Sequence, residues 1–188
     1  EISFSGEKWL VYGGRKPVTE GNEKEKTSVE LDKKGFIKTD ENLRTNDIDI
    51  YAIGDVIGGK MLAHKAYRDA VIAVDSILDK ETKPSIIPEV VFTDPQLSKV
   101  GEFKEEYNVG RASFKAIGAA YTKNKAKGVI QIAIDDNKII RAGQIVGPNA
   151  SEIIHEIALA VQNELPIEDL LRTIHVHPTV SEGILKAA

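Results

Sequence analysis

The sequence predicts an α+β protein, and three observations carry that reading. β-rich runs crowd the second half, a helical period governs residues 61–78, and two further helical patterns follow the strands rather than alternating with them. The 188 residues suffice for one domain, or two small ones, with a sizeable core. With 41% hydrophobic and 29% charged residues, the composition excludes wholesale disorder and collagen-like repeats. No stretch nears the ~18 consecutive apolar residues of a membrane helix, so no membrane partner is expected. The 25 basic and 29 acidic residues leave a net charge of −4, with no basic cluster to track a phosphate backbone. Nucleic acid is therefore not an expected partner. Cysteine is absent, which removes disulfide scaffolds, thiolate metal sites and a cysteine nucleophile within this chain. No basic segment followed by an apolar one opens the chain, and a cytoplasmic location is the expectation.

Residues 9–12 form a short apolar run closed by Gly13, Gly14 and Pro17, which predicts a strand ending in a turn. Residues 20–28 are polar and read as a surface connection. Residues 29–31 and 36–38 flank 32–35, whose last residue is Gly35, a hairpin signal. Residues 48–53 are a β-rich run ending in Gly54 and Asp55. From Met61 to about Leu78, Ala66, Ala70, Ala73, Val74 and Ile77 share one helix face; Lys65, Arg68, Asp75 and Asp79 share the opposite one. The charged, proline-bearing stretch 80–85 is the best domain boundary. Beyond it, residues 86–92 predict a strand, 93–95 a turn, and the segment towards Val100 a short helix. Residues 111–117, 129–134 and 138–146 predict strands, the last two joined by a turn at 135–137. Asn149 and Glu152 predict a capping box opening a helix whose Ile153, Ile157 and Val161 face a core. Pro166 opens another short helix through Leu171, and residues 183–188 are expected to trail off.

Three constellations carry chemical possibilities. Residues 175–182 hold His175, His177, Pro178 and Glu182 outside predicted regular structure. An imidazole suits proton transfer near neutral pH, and a carboxylate on its second nitrogen fixes the tautomer and raises basicity. His177 and Glu182 make such a pair if the chain turns at Pro178. Two other readings stand beside it: Glu182 caps a last helical turn, or His175, His177 and Glu182 hold a metal. The second constellation is the run into Gly54 and Asp55, which sets a carboxylate just past a strand end, where open α/β sheets bind ligands; Asp55 equally suits a plain turn. The third is Met61, Leu62, Ala63 and His64, at the start of a helix whose N–H groups and positive dipole end face an anion or carbonyl. His64 by itself reads as a capping or surface residue, and His155 as solvated. No Gly-x-Gly-x-x-Gly or Gly-x-x-x-x-Gly-Lys-Ser/Thr loop occurs.

In order along the chain, these pieces resemble the pyridine nucleotide–disulfide oxidoreductases, and within them the lipoamide-oxidising branch. Residues 9–17 look like the strand and Gly-Arg-x-Pro turn where the NAD domain returns to the FAD domain. Residues 45–55 look like the second FAD motif, with Gly54 and with Asp55 on the ribityl chain. Residues 61–66 resemble the segment whose helix start lies at the flavin pyrimidine ring, residues 87–95 the entry strand of the interface domain, and residues 175–182 the catalytic His–Glu element. Residues 61–66 and the His-x-His-Pro-Thr run separate this branch from glutathione reductases. Mercuric reductases usually end in a Cys pair, absent here. Tyr12-Gly13 departs from the small apolar residues usual in that strand.

The resemblance implies a fold in which residues 1–22 end an NAD-binding domain, 23–84 form the C-terminal segment of an FAD-binding domain, and 85–188 form an interface domain. It implies FAD and NAD as cofactors, a homodimer through residues 85–188, and the lipoyl groups of a 2-oxoacid dehydrogenase complex as substrate. His177 is then the acid–base and Glu182 its orienting partner, while Gly54, Asp55, Met61, Leu62, Ala63 and His64 bind the flavin. On this reading the chain is a C-terminal portion, inactive alone because it lacks the redox Cys pair. The alternatives are another disulfide reductase of the same family, glutathione- or mercuric-reductase-like, and a noncatalytic dimerisation module.

Overall fold

The computed structural model describes residues 3, 5–21 and 26–188, in two compact units, Glu1–Lys83 and Pro84–Ala188. Part of the polar connection at 20–28, and the expected boundary between residues 22 and 23, lie outside the described residues.

The second unit is a five-stranded sheet with helices, the α+β architecture expected. Its strands are β1 (Glu89–Val91), β2 (Gln96–Gly101), β3 (Asn108–Ser113), β4 (Val129–Ile134) and β5 (Ile140–Gly147). They lie in the order β1-β2-β5-β4-β3, every neighbour antiparallel. Register decides what each face carries. Ile130 sits opposite Ile145, both fully buried, while the adjacent row runs Lys99, Gln144, Gln131, Arg111 across four strands. The pleat thus separates an apolar face from a polar one.

Four helices belong to this unit: α2 (Gly118–Thr122), α3 (Ala150–Gln162), α4 (Ile167–Arg172) and α5 (Glu182–Ala187); α1 (Ala63–Ile77) belongs to the first unit. α3 packs on β2 and β5, and α5 on β3 and β4. The approach of α3 is so close that a Cβ at Gly143 would lie 2.5 Å from Ile157 Cγ2. Only glycine leaves room there. Phe114, Ile117, Ile130, Ile145, Ile154, Ile157 and Ile184 form one continuous core.

Four expectations in this unit need correction. The segment towards Val100 is strand β2, not a helix; Ser98 and Val100 point inward at two-residue spacing, and Ser98 Oγ donates to Ala150 O at 2.9 Å. The third strand is Asn108–Ser113 rather than 111–117. Ser113 Oγ accepts from Lys115 N at 3.3 Å and starts a 3₁₀ turn that drives Phe114 into the core. Asn149 has a left-handed backbone (φ 59) and no side-chain cap; Gln96 Oε1 instead accepts from Ser151 N and Oγ at 3.1 and 3.0 Å. Residues 183–188 do not trail off, because Ile184 and Ala187, one turn apart, are both buried and hold α5 on the sheet.

The first unit contains α1 (Ala63–Ile77) and a 3₁₀ turn at Gly54–Ile57. The hairpin at 32–35 forms as a single bridge between Leu31 and Ile37, with Asp32 Oδ1 accepting from Lys34 N and Phe36 N at 2.8 and 2.9 Å. The strand expected at 9–12 is not formed, and Trp9, Leu10, Val11 and Tyr12 are all exposed. A strand needs a neighbour for its N–H and C=O groups, and among the described residues no segment of this unit pairs with it. Residues 48–53 likewise contribute one bridge, Arg44 to Tyr51, because Ile50 N donates to Asp47 O and closes a turn. On α1 the inward residues are Asp69 and Ala73, whereas Val74 and Ile77 are more than half exposed. Asp69 tolerates burial because its carboxylate accepts from Gly54 N at 3.0 Å and pairs with Lys65 Nζ at 2.5 Å.

Candidate acid–base and cofactor sites

The chain leaves α4 at Arg172, runs without regular structure through His175 and His177, and enters α5 at Glu182. His177 Nδ1 lies 2.9 Å from Glu182 Oε1, and Thr179 N donates to Glu182 Oε2 at 2.9 Å. One carboxylate therefore does both things its sequence context suggested: it pairs with the histidine and takes a backbone N–H at its helix entrance. The reciprocal half of a capping box is missing: no side chain caps α5, and Thr179 Oγ1 donates to Val176 O at 2.6 Å. The His177 side chain is 78% exposed and that of Glu182 22%. His177 Nε2 has no hydrogen-bond partner among the described residues, and the ring as a whole is largely exposed.

His175 behaves differently. Its Nε2 lies 2.8 Å from Glu156 Oε1 on α3, and its Nδ1 lies 3.1 Å from Thr173 O. The two histidines thus take separate carboxylates, and among the described residues no three His, Asp or Glu side chains converge on a metal position. His155 is exposed, with Nδ1 3.0 Å from Glu152 O.

Electrostatics of the pair follow from its contacts. The hydrogen bond from His177, and after it the Thr179 N–H, hold the Glu182 carboxyl below its ordinary 4.5. A lowered carboxyl stabilises the fold above about pH 4.5, and that contribution is lost as pH falls through the lower folded value. A carbon-detected NMR titration should therefore place the Glu182 midpoint below 4.5, and His177→Gln should move it upward. An unmoved midpoint would mean that the histidine contributes nothing to it.

The second candidate site lies in the first unit. Asp55 sits in the 3₁₀ turn, with a half-exposed carboxylate 3.2 Å from Arg15 Nη1. Together with Lys16, Pro17, Val18, Val56 and Met61 they line a cavity of about 280 Å³. Gly54 has φ 74 and its N–H goes to Asp69, which fixes where Asp55 begins. Leu62 precedes α1 in an extended conformation and no side chain caps the helix; Ala63 and His64 are its first two residues, both exposed. Sequence reading missed Asp69, Arg15 and Glu156 as partners. The Lys65–Asp69 pair is a readable i,i+4 spacing, whereas Arg15–Asp55 and His175–Glu156 are 40 and 19 residues apart. It also overlooked a cleft of about 700 Å³ lined by Lys115, Lys125 and Lys127, a basic cluster that the net charge hides.

Comparison with known proteins places these features in a family. Residues 87–188 match the model of the pyridine nucleotide-disulphide oxidoreductase dimerisation domain, and residues 2–70 that of the pyridine nucleotide-disulphide oxidoreductases. The chain is 42% identical over 189 residues to dihydrolipoyl dehydrogenase 2, mitochondrial, of Arabidopsis thaliana, covering 95% of this chain and 37% of that protein. It is 38% identical to dihydrolipoyl dehydrogenase 3 of Haloarcula marismortui, covering 100% of this chain and 42% of that one. Among solved structures it resembles LpdA from Mycobacterium tuberculosis with a TM-score of 0.87 at 27% identity, over 92% of this chain and 40% of LpdA. The HOCl-induced flavoprotein disulfide reductase RclA from Escherichia coli, as a Cu(II) complex, gives a TM-score of 0.86 at 26% identity, over 94% and 43%. The chain spans about two fifths of the length of these curated relatives. With a dimerisation-domain model matched by the whole sheet-and-helix unit, this chain belongs to the pyridine nucleotide-disulphide oxidoreductase family.

Proposed function

We propose that this chain supplies the acid–base pair and the interface domain of an FAD- and NAD-dependent dihydrolipoamide dehydrogenase. The His177–Glu182 pair carries the reading. Glu182 holds His177 Nδ1, so the other ring nitrogen, Nε2, takes the proton of a dihydrolipoamide thiol, leaving a thiolate, the form that attacks a disulfide. The imidazolium so formed keeps the Glu182 carboxylate as its counter-charge. The chain has no cysteine, so the disulfide that receives electrons is not drawn from these residues. The dihydrolipoyl dehydrogenase names of the relatives support this substrate.

The first unit fits one part of a flavin. Asp55 offers acceptors and Arg15 donors at the rim of a cavity, a set suited to a hydroxyl-bearing chain, and the uncapped start of α1 at Leu62, Ala63 and His64 suits a ring edge rich in acceptors. Bound flavin would supply the two-electron relay between disulfide and nicotinamide. On the same reading residues 1–22, 23–84 and 85–188 are NAD-domain, FAD-domain and interface segments, two copies associate through 85–188, and the enzyme is cytoplasmic.

The test is steady-state kinetics on the enzyme containing this chain. It should reduce NAD with dihydrolipoamide far faster than it reduces glutathione disulfide or mercuric ion with a reduced nicotinamide. Preference for either of the other two substrates would reject the assignment in favour of a sister reductase.

A further inference from the structure

The proton chemistry above leaves His175 unused, yet this side chain is held more tightly than that of His177. The usual burial order is inverted around it: Ile174 and Val176 are 94% and 74% exposed, whereas the imidazole between them keeps 5%. A polar ring stays buried in an irregular segment only when its nitrogens are satisfied, and both are. Thr173 O accepts only, so Nδ1 carries the ring hydrogen, and Nε2 lies 2.8 Å from Glu156 Oε1. Glu156 belongs to α3, whose Ile154 and Ile157 are fully buried in the core. The bond therefore fastens the loop to a rigid helix two residues before His177. Beyond His177, the bond from Thr179 Oγ1 to Val176 O and that from Thr179 N to Glu182 fasten the other side.

We propose that His175 and Glu156 are a positioning pair that sets where His177 Nε2 meets the substrate thiol, an inference that rests on His177 being the acid–base group. Among the described residues the His177 ring hydrogen-bonds to Glu182 alone, so its placement depends on the backbone that carries it. A misplacement of about 1 Å typically costs on the order of 10²-fold in rate.

The test measures kcat and KM of the enzyme containing this chain as wild type, His175→Ala, Glu156→Gln, Glu156→Leu and the His175→Ala/Glu156→Leu double variant. His175→Ala and Glu156→Leu should each lower kcat by about 10- to 100-fold with KM for NAD unchanged. The double variant should be no worse than the poorer single one, as for partners in one interaction. Glu156→Gln offers an amide N–H to Nε2 while Nδ1 stays on Thr173 O, so it keeps the bond and should retain most of the rate. As a readout independent of turnover, the ring nitrogen signals of His177 should shift or broaden in His175→Ala while those of His155 stay put. An unchanged kcat, or a loss of folding with unmoved His177 signals, overturns the proposal. If the wild type does not oxidise dihydrolipoamide, the substrate assignment falls, and the ring signals alone decide: moved signals support the positioning pair and unmoved ones reject it.

Discussion

On the proposed function, His177→Gln should lower turnover of dihydrolipoamide by about 10²- to 10⁴-fold, the usual contribution of a general acid–base group, with little change in stability. The ring is 78% exposed, so its removal opens no core cavity. Glu182→Gln is the sharper variant, because the two carboxylate oxygens have different partners. Thr179 N donates to one of them and His177 Nδ1 faces the other. A glutamine has one oxygen, and the Thr179 N–H can bond only to that atom. Its NH₂ group is then turned to His177 Nδ1, which must accept. The ring proton moves to Nε2, the very atom that has to receive the thiol proton. Glu182→Gln should thus fall nearly as far as His177→Gln, by the wrong-tautomer effect known from triads. Near-normal turnover in both variants, with flavin content and dimer unchanged, would reduce the pair to a helix entrance.

The contrast between what sequence revealed and what it hid follows from distance along the chain. His177 and Glu182 are five residues apart across a proline, so their meeting needed only a local turn. β4 reads correctly because Val129–Ile134 is rich in β-branched residues and followed by a turn at Asp135, whose carboxylate accepts from Asn137 N and Ile139 N. Other errors were non-local. Residues 9–12 look like a strand, but strand formation depends on a partner that the pattern does not contain. Asn149 looks like a helix cap, but the N–H and hydroxyl of Ser151 are taken by Gln96, 55 residues away. Nothing in the helical pattern singles out Asp69, whose partner Gly54 N lies 15 residues away. Polar groups satisfied across the fold leave no periodic trace, and these are the groups that shape both candidate sites.

Phe114→Ala should be the most damaging single truncation in the sheet unit, costing about 3–5 kcal/mol as large aromatic-to-alanine changes in cores do. The upper part of that range is expected here because the hole cannot close. Phe114 is fully buried where β3 gives way to the 3₁₀ turn, and its own N–H donates to Gly128 O at 3.2 Å, which fixes the backbone. Across the ring lies Gly147, so near that a Cβ there would stand 2.9 Å from Cε1. Gly147 is itself paired with Gln96 of β2. Backbone on both sides is thus held by hydrogen bonds and cannot move in. Phe92, 78% exposed, is the control, and its alanine variant should stay within about 0.5 kcal/mol of the parent. Urea denaturation should show a lower midpoint for Phe114→Ala at nearly constant slope, as expected when the folded state is destabilised without changing the surface exposed on unfolding. Glu182 rides on α5, which is seated in the same core: a Cβ at Gly183 would lie 2.6 Å from Ile130 Cδ1. Well below the melting temperature α5 is still docked in the folded fraction, so the Phe114→Ala enzyme should keep its rate per folded molecule. A loss of stability under about 1 kcal/mol would mean that the site collapses after all, against the backbone pairing described.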